Sequence, residues 1–159
     1  MLILSFLPTW TGSQQSPEDY LSLGNNALTS DANEKAIEFY EKGIAALEDA
    51  SESLITILSL ETNLATAYSA IGGNYDKAME HYQRAISAYN KNHNEIQDSN
   101  TALEAKAITS QTAFFFGMEL QETDAKRAVE MYGYAVVLDP DLWAAWANLG
   151  TLNTHDRQT

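Results

Sequence analysis

The sequence predicts an all-α protein made of antiparallel helix hairpins, three pairs followed by one terminal helix. Three observations carry this. Apolar residues recur three and four apart through nearly the whole chain, the period of an amphipathic helix. No run of alternating β-branched residues lies between hairpin turns. The one comparable stretch, Leu54-Ile-Thr-Ile-Leu-Ser-Leu60, continues into Leu64, Ala67 and Tyr68 at helical spacing. Finally, one short pattern of small and aromatic residues recurs along the chain.

The elements follow in order. Helical structure is expected to begin at Ser16-Pro17-Glu18-Asp19. There Ser16 can cap, Pro17 suits the first helical position, and the two acids oppose the positive end of the helix dipole. Breaks at Thr29–Asn33, Asp49–Ser53, Gly72–Asn74, Asn90–Asn100, Gln121–Thr123 and Asp139-Pro140 delimit helices over 17–29, 34–49, 52–71, 75–90, 100–119, 124–138 and 141–153. Gly72-Gly73 reads as a helix C-cap. Short connections make sequential helices antiparallel neighbours. The expected organisation is a tail of apolar and linker composition over 1–15, a repeat domain over 16–153 and a second tail over 154–159.

Composition narrows the functions. At 159 residues, 45% of them hydrophobic, the chain can bury a core as one domain. Its 22 acids against nine Lys and Arg give a formal charge of −13. That disfavours nucleic acid, whose binding needs phosphates neutralised, and anionic membrane surfaces. Without cysteine there are no disulfides, zinc-thiolate sites or thiol nucleophiles. The opening Met1-Leu-Ile-Leu-Ser-Phe-Leu7 is too short to span a bilayer, which takes ~20 apolar residues, and no basic stretch precedes it as a signal peptide requires. A cytoplasmic protein without membrane insertion is expected. The tail itself reads as a linker or as a segment that docks on an exposed helix face.

The recurring pattern is carried by Glu34-Lys-Ala-Ile-Glu-Phe-Tyr-Glu-Lys-Gly-Ile44, Asp76-Lys-Ala-Met-Glu-His-Tyr-Gln-Arg-Ala-Ile86 and Ala125-Lys-Arg-Ala-Val-Glu-Met-Tyr-Gly-Tyr-Ala-Val136. Each places a small residue, an aromatic four later and a small residue three after that: Ala36/Tyr40/Gly43, Ala78/Tyr82/Ala85 and Ala128/Tyr132/Ala135. On one helical face, small residues admit a close neighbour while the tyrosine fills the space beside it. Upstream stand Tyr20, Leu23 and Gly24, then Leu64, Ala65 and Tyr68, then Phe116-Gly117, and Pro140 closes the third unit. Trp146-Ala-Asn-Leu149-Gly150 opens a fourth. With these residues the chain resembles the tetratricopeptide repeat family over 17–153. The spacing departs from it: Ala36 and Ala78 lie 42 residues apart, Ala78 and Ala128 50 apart, against a usual ~34.

The resemblance implies a short right-handed superhelix whose concave groove is lined by the first helix of each pair. Those helices offer Asn25, Thr62, Asn63, Thr66, Ser69, Thr109, Ser110 and Gln111 but few charges. Asn25 and Asn63 match asparagines with which family members hold a peptide backbone, a task suited to an amide that both donates and accepts. Where some members place cations that clamp a C-terminal carboxylate, this chain has Leu21, Gln111 and Phe115; that mode of binding is not expected. In Phe114-Phe115-Phe116, successive residues turn by ~100°, so at least one ring should reach the groove, and with Met118 supply an apolar pocket beside the amides. The expected groove is thus Asn25, Asn63, Thr66, Gln111, Phe114, Phe115 and Met118.

The last helix carries Trp143, Trp146, Leu149 and Leu152 at spacings of three with no second helix after it, and a repeat cannot bury its apolar face alone. Cover could come from chain beyond Thr159, from a second copy in a homodimer, from the N-terminal tail in trans, or from a simple polar cap. His81, His93 and His155 are isolated, and no G-x-x-x-x-G-K-[ST], G-x-S-x-G or H-E-x-x-H motif occurs. The sequence therefore implies no catalytic residue, metal or cofactor. It predicts an adaptor or scaffold that binds a protein or peptide partner. The alternatives are a self-assembly module joined through the terminal helix, or a non-catalytic regulatory domain of a larger protein.

Overall fold

The computed structural model describes residues 15–47, 53–72 and 74–155, the last three of them as backbone only. Both expected tails lie wholly or largely outside the described residues. Among these residues there are seven α-helices and no strand: α1 (Pro17–Thr29), α2 (Asn33–Ala46), α3 (Leu54–Ile71), α4 (Tyr75–Asn92), α5 (Ser99–Leu120), α6 (Ala125–Leu138) and α7 (Trp143–His155).

Local chemistry sets most of the boundaries. Ser16 and Asp19 form a reciprocal capping box ahead of α1, with Pro17 at its first position. Asp98 and Asp124 cap α5 and α6 by accepting from the backbone N–H of Thr101 (2.7 Å) and Arg127 (3.0 Å). Gly72 ends α3 at φ +69°, a conformation that other L-residues rarely adopt. Two of the boundaries that differ from expectation have a visible local cause. α4 runs on to Asn92 because side chains near its end reinforce it: His93 stacks on Tyr89 at 4.8 Å and Asn92 Nδ2 donates to the Ala88 carbonyl at 2.8 Å. α7 starts two residues late because Asp139, preceding Pro140, is extended, and its side chain accepts from the Asp141 N–H at 3.0 Å. The expected α2–α3 break at 49–53 falls largely outside the described residues.

Each pair, α1–α2, α3–α4 and α5–α6, packs as a hairpin, and each second helix packs on the first helix of the next unit: α2 on α3, α4 on α5 and α6 on α7. The first helices also touch one another, α1 against α3 and α3 against α5. α3 is long and apolar enough to cross a membrane by length and composition. In the fold that apolarity is spent on contacts with α1, α2, α4 and α5.

The recurring pattern forms the core. Ala36, Tyr40, Ala78, Tyr82, Ala85, Ala128, Tyr132 and Ala135 are all buried. Each buried ring removes on the order of 150–250 Å² from water, about 4–6 kcal/mol of gross transfer free energy at ~25 cal/mol/Å². The rings fit because the facing helix is bare at the contact. A Cβ on Gly24 would stand 2.2 Å from Tyr40 Cε1, and one on Gly117 2.7 Å from Tyr132 Cε1. In the middle hairpin the fully buried Ala65 holds the corresponding place.

Candidate functional site

The face of the first helices is built on these tyrosines. Each ring passes the small residue of its partner helix, and its hydroxyl emerges beside the residue that follows. Tyr40 donates to Asn25 Oδ1 at 2.8 Å. Tyr82 and Thr66 share a hydrogen bond at 3.3 Å. In the third hairpin that position is Met118, a poor acceptor, and Tyr132 donates instead to Gln121 Oε1 at 3.1 Å. Burial pushes the Tyr40 phenol up to about 12, only partly offset by the Asn63 amide beside it.

Asn25 and Asn63 are brought together: Asn63 Nδ2 donates to Asn25 Oδ1 at 2.9 Å and so joins α1 to α3. Asn25 Oδ1 thus takes two donors, and neither bond uses the Asn25 amide nitrogen or the Asn63 carbonyl oxygen. Thr56 Oγ1 donates to Glu18 Oε1 at 2.9 Å across the same two helices. α3 is tied to α5 by Thr62 and Thr112, whose hydroxyls lie 2.7 Å apart in the interior.

That arrangement corrects the polar inventory. Thr62, Thr109 and Ser110 are buried and do not face an open groove. Thr109 donates to the Ala105 carbonyl at 2.7 Å within α5, and Ser110 to the Ala135 carbonyl at 2.9 Å across to α6. Hydroxyls buried in this way cost little once they are paired.

Between α3, α4 and α5 lies an open cleft of about 310 Å³, lined by Thr66, Ser69, Ala70, Tyr82, Phe115, Met118 and Glu119. Three of the expected groove residues, Thr66, Phe115 and Met118, therefore share one concavity. Gln111 and Phe114 lie outside its lining. Gln111 is exposed one turn before Phe115, and Phe114 is half-buried against Tyr132, ring centroids 5.9 Å apart. Phe116 is buried, stacked on Tyr82 at 5.8 Å. Of the three phenylalanines, Phe115 alone lines the cleft.

Two features have no counterpart in the sequence reading. Glu119 is the one charged residue of the cleft. Second, Glu61 is buried in α3 with its Oε2 2.6 Å from His81 Nδ1 of α4, and His81 stacks on Tyr68 at 5.7 Å. His81, expected from the sequence to be isolated, is thus paired, because its partner Glu61 lies 20 residues away on the other helix of the hairpin, where no local spacing reports it. Among the described residues no three His, Asp or Glu side chains converge as a metal site would require.

The terminal helix divides the predicted stripe in two. Leu149 and Leu152 pack against the core, as does the fully buried Ala145. Trp143 is 78% exposed and Trp146 48% exposed, with Val137 of α6 similarly open. A spacing of three falls short of a full helical turn by ~60° at each step, so four such residues cannot share one face. Trp146 Nε1 donates to the Pro140 carbonyl at 3.0 Å, which satisfies its polar edge and leaves its apolar faces to solvent.

No protein-family model matches the sequence, and no curated protein matches it.

Proposed function

We propose that this chain is a peptide-binding adaptor of tetratricopeptide type, its three helix pairs and terminal helix winding as a short right-handed superhelix. The face of α1, α3 and α5 receives an extended or helical segment of a protein partner. The observation that carries this is the alignment of groups on that face. Asn63, Thr66 and Ala70 follow one another at helical spacing on α3, and Gln111, Phe115 and Met118 do so on α5. An amide pair that can orient a backbone thus lies on the same side as an apolar cleft that can grip a side chain, the usual division of labour in a binding site. One segment held this way reaches roughly micromolar affinity, about −8 kcal/mol. The reading needs no catalytic group, cofactor or metal, and places the protein in the cytoplasm.

Phage-displayed random peptides selected on the full chain test it. Selected peptides should lose about tenfold or more in affinity to Met118→Ala or Phe115→Ala. Selection of nothing above background, or of peptides indifferent to both changes, would reject the groove.

A second reading is favoured by the exposed Trp143 and Trp146: self-assembly through α7. Indole-rich patches dominate interfaces where they occur. Light scattering over a range of concentrations separates the two, since a dimer dispersed by Trp143→Ser/Trp146→Ser would put assembly first.

A further inference from the structure

The cleft between α3, α4 and α5 has a chemistry of its own. One wall is Ala70 of α3, the other Phe115 and Met118 of α5, and its single charge is Glu119. Met118 is 44% exposed, so its thioether stands at the mouth and is not committed to the core. Its freedom has a local cause: in the other two hairpins the equivalent position bonds a tyrosine hydroxyl, whereas Tyr132 has turned to Gln121. Glu119 is half-buried and enters no ion pair among the described residues. No cation lines the cleft, so its carboxylate is left without a counter-charge there. The volume, about 310 Å³, lies at the lower limit for small-molecule pockets and suits one long side chain better than a cofactor.

We propose that this cleft is a specificity pocket for a lysine or arginine side chain of the bound segment. This rests on the groove reading above. The aliphatic stem lies along Ala70, Phe115 and Met118, and the cationic head reaches Glu119. Long basic side chains divide in this way, stem on apolar surface and head toward a charge. An arginine gains further from the face of Phe115, since cation–π contact adds to the ion pair. The chain's −13 charge acts in the same direction, raising the encounter rate of basic segments. It does so without choosing a position in the peptide, whereas Glu119 acts at one position. An acidic or C-terminal carboxylate partner is excluded from the cleft by the same residue.

A positional-scanning peptide library, presented to the full chain at physiological salt, tests this. Wild type should enrich lysine or arginine at one position of the bound peptides. For the best peptide, replacing that residue by norleucine, which keeps the stem and removes the charge, should weaken binding about five- to tenfold. Glu119→Gln should abolish that discrimination, leaving the basic and norleucine peptides equal. Glu119→Lys should reverse the preference, and urea melts of both variants verify the fold. Enrichment of basic residues that survives Glu119→Gln would overturn the pocket, because overall charge would then account for it. Peptides bound with an apolar or acidic preference at every position would overturn the pocket and leave the groove standing. A library from which nothing is retained would overturn both.

Discussion

Gly24→Ala is the sharpest test of how the hairpins are packed. A Cβ there would sit 2.2 Å from Cε1, 2.5 Å from Cδ1 and 2.8 Å from Cζ of Tyr40, where ordinary contact begins near 3.4 Å. The ring would have to retreat by more than an ångström. It has no room to do so: Tyr40 is fully buried, and its hydroxyl is held by Asn25. With three ring carbons closer than 3.0 Å, the cost belongs at the upper end of the range for overpacking, about 2–3 kcal/mol. Alanine in place of glycine within a helix returns roughly 0.8–1.0 kcal/mol. The net expected loss is about 1–2 kcal/mol, or about 2–8 °C in Tm for a chain of this length. Gly133→Ala is the control, since Gly133 lies within α6 with nothing within 4 Å of the added Cβ. It should gain roughly 0.5–1 kcal/mol from helix propensity alone. Urea and thermal unfolding of the three proteins measure both effects. If Gly24→Ala matches or exceeds wild type, the ring does not lie against the bare backbone of α1, and the account of the repeat pattern fails.

Three further outcomes are expected. His81→Ala strands the Glu61 carboxylate inside the α3–α4 hairpin, 2.6 Å from the partner it loses; urea unfolding at neutral pH should show a loss of about 1–3 kcal/mol, and little further loss when Glu61→Gln is added. Tyr40 and Tyr68 hold their protons up to about 12, chiefly through burial. The unfolded phenols ionise near ~10, so the stability these protons confer is complete below that pH and is lost as pH rises through 12. Ultraviolet titration of tyrosinate should accordingly show a late-ionising class that joins the early one once the chain is unfolded. Trp143→Ser/Trp146→Ser should leave the fold standing, since both rings are open to solvent, while near-ultraviolet circular dichroism changes and the melting temperature moves by no more than about 2 °C.

The fold was legible because the signals behind it were local. Helix periodicity, the Ser16–Pro17 start and the glycine after Ile71 each need only a few neighbouring residues, and the helices fall within two or three residues of expectation. The packing role of Ala36, Tyr40, Ala78, Tyr82, Ala128 and Tyr132 was also readable, because repetition marks one face without knowledge of what covers it. The site was read less well. The resemblance pointed to Asn25 and Asn63 as groove groups, yet their mutual hydrogen bond joins residues on different hairpins, and no local pattern reports such a pairing. Thr62, Thr109 and Ser110 looked like open polar groups because hydroxyl side chains are ambiguous. The same residue can face water or donate to a carbonyl in a helix interface, as Ser110 does to Ala135. Glu119 went unnoticed for the opposite reason: an acid near a helix end is ordinary, and only the cleft beside it gives it a use.

The most direct test of the central claim is amide chemical-shift mapping of the full chain, titrated with a library-selected peptide. The account predicts perturbations concentrated on α1, α3 and α5, at Asn25, Asn63, Thr66, Gln111, Phe115, Met118 and Glu119, with α2 and the outer residues of α4 and α6 unmoved. Perturbations centred on Trp143 and Trp146, or spread over the second helices, would contradict it.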